Sequence, residues 1–177
     1  MAHFYLSLGS NIRPYRNLAA ALDALSAQFE SITTSSVYES TAVGFCGDNF
    51  LNLVVGLRSS KELIDISCYL KNLEDSLERD RTASRFSSRT LDVDILAMDD
   101  RVIREDGIDL PRSEILTNAF VLLPLAEIAP DTIHPLTGKT YARHWQEFDI
   151  GDQQLWPVDF FWGEGNISSL KKRLPQN

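Results

Sequence analysis

Polar and apolar residues alternate from His3 to Gly9, with Phe4, Leu6 and Leu8 on one face and His3, Tyr5 and Ser7 on the other. That period of two predicts a half-buried strand. Gly9-Ser10-Asn11 supplies turn and capping residues, after which Leu18, Ala21, Leu22, Leu25 and Phe29 recur at helical spacing. Ile32 to Ser40, rich in Thr, Val and Tyr, predicts a second strand, and Phe50 to Arg58 a third, across a loop holding Gly44 and Gly47. Leu63, Ile66, Leu70, Leu73 and Leu77 form one stripe of a second helix, and Thr90 to Ala97 returns to strand. Strand, helix, strand, strand, helix, strand is the order of an α+β ferredoxin-like core, a mainly antiparallel sheet with helices packed over one face. Beyond it, Arg101 to Arg104 reads as a short strand. Ala119 to Ile128 reads as an apolar helix that Pro124 should interrupt. From about Pro135 the periodicity fades. The expectation is one domain over residues 1–177, with a core of about residues 1–134. Residues 135–177, carrying Trp145, Trp156, Phe160, Phe161 and Trp162, form an extension packed on that core.

Composition narrows the class. The 177 residues are 44% hydrophobic and 24% charged, which sets aside disorder, collagen and coiled coil. No apolar run approaches about 18 residues, and the first residues lack a charged-then-apolar leader, so the expected location is cytoplasmic. Cys46 and Cys68 match no disulfide, zinc or redox spacing and read as reduced thiols. A formal charge of -8 argues against non-specific nucleic-acid binding.

Arg79, Arg81, Arg85 and Arg89 lie within eleven residues and are four of the twelve arginines of an acidic chain. With Ser84, Ser87 and Ser88 between them they make an anion trap; the bland alternative is a solvated loop offsetting Asp75, Glu78 and Asp80. Immediately after it, Leu91, Val93 and Ile95 share one strand face, and Asp92 and Asp94 share the other. Two neighbouring carboxylates are unfavourable unless water screens them or a cation bridges them, and oxygen ligands with open geometry suit Mg²⁺, which completes its shell with water and phosphates. Taken alone, the pair could be a solvent-facing strand edge. Beside four arginines it points to phosphoryl or pyrophosphoryl transfer, which needs charge neutralisation and alignment more than covalent help. A hydrolase using Cys46 or Ser10 with His3, His134 or His144 finds no supporting spacing.

These residues resemble a known family, the 6-hydroxymethyl-7,8-dihydropterin pyrophosphokinases of folate biosynthesis. The family's motif Arg-x-Gly-Pro-Arg-x-x-Asp-x-Asp corresponds to Arg85-Phe86-Ser87-Ser88-Arg89-Thr90-Leu91-Asp92-Val93-Asp94. Leu8-Gly9-Ser10-Asn11, Tyr38-Glu39-Ser40, Val43-Gly44-Phe45, Phe50-Leu51-Asn52 and the run from Ala119 to Pro130 also match in order, so the likeness spans Phe4 to about Pro130. The resemblance implies that ATP is a co-substrate, that two Mg²⁺ ions sit on Asp92 and Asp94, and that the pterin hydroxyl attacks the β-phosphorus to release AMP. It implies phosphate contacts from Arg79, Arg81, Arg85, Arg89 and Arg112. Glu74 and Ile95 fall at nucleotide positions; on a helix face, Glu74 could equally be solvated or pair with Arg81. The pterin would stack between Phe50 and Phe120, with Asn52, Ser40 and Val43 reading its edge; ordinary core packing is the alternative for both rings. The implied partners are the pterin and ATP, without nucleic acid or membrane, in a monomer or weak homodimer.

Departures accompany the likeness. Ser87-Ser88 replaces a usual Gly-Pro, Phe86 a tryptophan, and Thr41-Ala42 two frequent prolines. Arg112 replaces a histidine, and Asn118 stands where the family has an arginine directed at the phosphates, which predicts weaker phosphate binding or transition-state stabilisation. These departures admit a second reading, a pterin- or nucleotide-binding relative with weak or altered transfer. A ferredoxin-like RNA-binding domain would need sheet-face aromatics in basic surroundings, which the chain lacks.

Overall fold

The alternating N-terminal segment lies inside a sheet rather than on its border. A computed structural model gives the fold and describes residues 1–42, 47–77, 88–105 and 107–168. Strand β1 (Ala2–Ser10) runs into helix α1 (Pro14–Gln28), followed by β2 (Ile32–Thr34), β3 (Val37–Ser40), β4 (Phe50–Ser59) and α2 (Leu63–Ser76). Then come β5 (Asp92–Met98), the pair β6 (Ile103–Glu105) and β7 (Ile108–Leu110), a 3₁₀ turn at Ser113–Leu116, and α3 (Ala119–Ile128). The remainder holds α4 (Tyr141–Gln146), β8 (Leu155–Val158), β9 (Phe161–Trp162) and β10 (Gly165–Asn166). The main sheet has the order β5-β1-β4-β3-β8, with β2 also on β4 and every pairing antiparallel. Its central part is the ferredoxin-like arrangement expected from the order of elements.

The helical stripes do what their spacing predicts. Leu18, Ala21, Leu22 and Leu25 of α1, and Ile66, Leu70 and Leu73 of α2, are buried with Phe4, Leu6 and Leu8 against one sheet face. The second face is not left to solvent. Val121, Leu122, Leu125 and Ala126 of α3 pack there with Tyr141 over Tyr5, Val54, Leu96 and Ala97. Tyr5 is therefore buried, and β1 is covered on both sides instead of half-buried, with helices on both faces rather than one. Pro124 does not interrupt α3: the helix is apolar almost all round, and burial outweighs the backbone bond that proline forfeits.

One boundary differs from expectation for a local reason, and the C-terminal part packs on the core as expected. The second strand breaks at Ser35-Ser36, where the Ser35 hydroxyl accepts from Val54 N–H and donates to Ser36 C=O. Ser36 N–H turns away to the Glu127 carboxylate. Within the C-terminal part, Leu155–Val158 joins the main sheet on β3, and Phe160 is buried with the α1 side of the core. Trp162 donates to Asp23 of α1 at 2.9 Å.

Candidate active site

Strand register assembles the site. Asp92 pairs with Gly9, Gly9 with Asn52, and Asn52 with Tyr38, so these positions form one row across β5, β1, β4 and β3. Directly opposed residues of an antiparallel sheet point to the same face. Asp94 opposite Ser7, and Ser40 opposite Phe50, extend this set on the α3 face. Period-two alternation thus carries both aspartates and the Phe50, Asn52 and Ser40 group to one surface. Where α3 leaves that surface uncovered, a cavity of about 820 Å³ opens, a size suited to drug-sized ligands. Because β5 is the outermost strand, the cavity wraps around it, reaching Ile64, Ser67, Lys71 and Glu74 of α2 on the far side.

At the β5 end the cavity is strongly charged. Arg89 pairs with Asp92 at 2.5 Å, and Arg112 reaches Asp94 at 3.4 Å and Glu114 at 3.1 Å. The Asp92 and Asp94 side chains are 28% and 47% exposed, leaving them open to a ligand while the arginines offset their mutual repulsion. The described residues contain no cluster of three or more His, Cys, Asp or Glu able to hold a metal ion. Two partly exposed carboxylates on one strand face nevertheless fit Mg²⁺, which uses one or two protein carboxylates and takes other oxygens from water and phosphates. Glu74 is buried, and its Oε1 accepts from Val93 N–H at 2.8 Å. It locks α2 to β5 and is not the solvated helix-face residue that its position also allowed. Ile95 lines the same end.

The other end is flatter and less charged. Phe50 and Phe120 are both partly exposed and line the cavity, rather than belonging to the buried core. Asn52 is buried and donates to the Ser40 hydroxyl at 3.0 Å, an arrangement that orients the carboxamide. A Cβ on Gly9 would come 3.2 Å from Asn52 Oδ1 and 3.8 Å from a Phe50 ring carbon, so glycine permits this close approach.

Of the residues named from sequence, Asp92, Asp94, Arg89, Glu74, Ile95, Arg112, Ser40, Phe50, Asn52 and Phe120 all line this one cavity. Arg79, Arg81, Arg85 and Val43 lie outside the described residues, as does Cys46. Lys71 and Asp109 also line the cavity without having been singled out, as does Asn118, noted only as a departure. The role of Asn11 was hidden as well. Its Oδ1 accepts from Arg89 N–H at 2.7 Å, and its Nδ2 donates to Asp48 C=O and the Ser88 hydroxyl. Ser10 Oγ donates to Thr90 C=O, so the turn after β1 fastens the chain just before the aspartates. A small polar pair after a strand gives only a turn signal; these partners are tens of residues away.

Comparison with known proteins identifies the family. The chain is 35% identical over 156 residues to a 2-amino-4-hydroxy-6-hydroxymethyldihydropteridine pyrophosphokinase of Synechocystis, covering 86% of this chain and 78% of that protein. It is 34% identical to a protein of the same name from Aquifex aeolicus, over 78% of this chain and 88% of that one. The crystal structure of wild-type Plasmodium falciparum HPPK-DHPS shares the fold at TM-score 0.62 and 14% identity. That match covers 82% of this chain, which spans less than half of the longer Plasmodium chain, 44% of it. Residues 5–130 match the family described as 7,8-dihydro-6-hydroxymethylpterin-pyrophosphokinase (HPPK), and the chain belongs to that family.

Proposed function

We propose that the chain transfers pyrophosphate from ATP to the hydroxymethyl group of 6-hydroxymethyl-7,8-dihydropterin and releases AMP. The observation that carries this reading is a single cavity with two carboxylates and two arginines at one end and two partly exposed phenylalanines beside an oriented carboxamide at the other. The hydroxyl oxygen bonds to the β-phosphorus, the bond from that phosphorus to the α,β-bridging oxygen breaks, AMP departs with the bridging oxygen, and the hydroxyl proton passes to water. Two Mg²⁺ ions held by Asp92 and Asp94 would supply charge neutralisation and acidify the attacking hydroxyl. Arg89 and Arg112 swing part of their charge from the aspartates to the phosphates and stabilise the departing nucleotide, together with Arg79, Arg81 and Arg85. Glu74 and Ile95 shape the nucleotide end. Phe50 and Phe120 stack the flat ring, while Asn52, Ser40 and Val43 read its edge. The catalytic unit is one domain over residues 1–177, working as a cytoplasmic monomer or weak homodimer.

Asn118 favours a second reading, a relative that binds pterin or nucleotide with weakened transfer, because an uncharged side chain lines the cavity there. AMP release from ATP, Mg²⁺ and the hydroxymethyl pterin separates the two. Turnover is the expected result, and saturable pterin binding without AMP supports the second. Asp94→Ala should cut AMP release by about a hundredfold or more with an unchanged melting temperature. Normal turnover in that variant removes the metal assignment.

A further inference from the structure

The C-terminal extension returns to the less charged end of the cavity, and one of its side chains takes over a task that α3 leaves undone. The first N–H groups of a helix have no intrahelical partner. Asn118, at the N-cap of α3, makes no side-chain capping bond. Instead Gln153 Oε1 accepts from Ala119 N–H at 2.8 Å, and Gln153 Nε2 donates to Thr117 C=O at 3.1 Å. One carboxamide therefore straddles Asn118 and fixes the backbone on both sides of it, immediately before Phe120. The next residue continues the link: Gln154 C=O accepts from Thr41 N–H at 3.3 Å. Leu155 then pairs with Ser40 as β8 joins the sheet. Phe120 lines the main cavity and, with Gln153, Gln154 and Leu155, a small cleft, so the strap runs beside Phe120.

We infer that Gln153 is a positioning residue for the heterocyclic substrate: it sets the first turn of α3, and with it the spacing of Phe120 from Phe50. The inference rests on the pterin-stacking reading above. A stacked ring tolerates about half an ångström of misplacement, which the loss of a backbone anchor one residue away readily exceeds. Among the described residues, the nucleotide end, built from β5, α2 and Arg112, has no bond to Gln153, so the effect falls on one substrate only.

The test uses the full chain with Gln153→Ala and Gln153→Glu. Q153A should raise the pterin KM about tenfold, the change expected when two hydrogen bonds, one part-buried and one exposed, are lost together, and leave the ATP KM within about twofold. Amide exchange at Ala119 should accelerate. Q153E keeps the acceptor for Ala119 N–H but loses the donor to Thr117 C=O, and its pterin KM should fall between those of wild type and Q153A. An unchanged pterin KM in Q153A, equal rises in both KM values, or a Q153E as impaired as Q153A each overturns the inference. If Q153A does not fold, Q153N, one methylene short with both polar atoms kept, is judged by the same readouts. A wild-type chain that neither binds the pterin nor releases AMP removes the function reading and this inference with it. Normal wild-type turnover with an unaltered Q153A removes only the inference.

Discussion

Gly9 shows how one missing methyl shapes the site. It sits between Asp92 on β5 and Asn52 on β4, and an added Cβ at 3.2 Å from Asn52 Oδ1 would press on the carboxamide that donates to Ser40. Gly9→Ala should raise the pterin KM about tenfold and cost about 1 kcal/mol of stability, measured by steady-state kinetics and urea unfolding. An alanine enzyme with unchanged pterin KM would show that Asn52 has room to move. At this scale the sequence was legible where chemistry follows from strand alternation. Asp92 and Asp94 share a face because they are two residues apart, and nothing tertiary is needed to say so. Asn11, Lys71 and Asp109 were not legible, because each depends on which distant segment folds beside it. Asn11 could be identified only from its bonds to Asp48, Ser88 and Arg89.

Elements were legible where a long period was present. The stripes of α1 and α2 predict their buried faces, and the bounds of α3 coincide with the apolar run from Ala119 to Ile128. The failures are short elements whose existence depends on a neighbour. Strand β8 is four residues long and contains Pro157, which only an edge position tolerates, so no pattern announces it. The break between β2 and β3 is equally context-dependent, since it is held by Glu127 of α3. That carboxylate accepts from Ser36 N–H, the Ser36 hydroxyl at 2.8 Å and the Tyr38 hydroxyl at 3.2 Å. One acidic side chain thereby joins α3 to the sheet at the break. Glu127→Ala strands the Ser36 donors and should destabilise the fold by about 2–3 kcal/mol in urea unfolding, in the range of charge-assisted bonds. Glu127→Gln, which keeps two acceptor lone pairs, should lose less than alanine does; equal losses would locate the effect in packing instead.

Across the whole molecule, all three histidines are biased toward the neutral form. His3, His134 and His144 each have a pKa below the ordinary 6.5, in every case chiefly because burial disfavours the imidazolium. His134 is the most enclosed, its ring edge-on to Tyr141 and His144. Neighbouring charge adds to the effect: His144 lowers His134, Lys139 lowers His144, and Arg58 lowers His3, while Asp99 and Glu147 pull the other way on His3 and His144. A histidine whose folded pKa is depressed binds fewer protons in the native than in the unfolded chain below 6.5. Stability therefore rises with pH in this window and falls as pH drops through about 6.5. Glu147, whose pKa lies below its usual 4.5 through its bond to Lys139, adds its own loss only at lower pH. The melting temperature should thus decline between pH 7.5 and pH 5.5, before carboxylates titrate. His134→Gln removes the most buried of the three titrations and should flatten that slope, whatever its cost at pH 7.5. If the slope is the same with glutamine at 134, the acid sensitivity belongs to His3 and His144 or to another group.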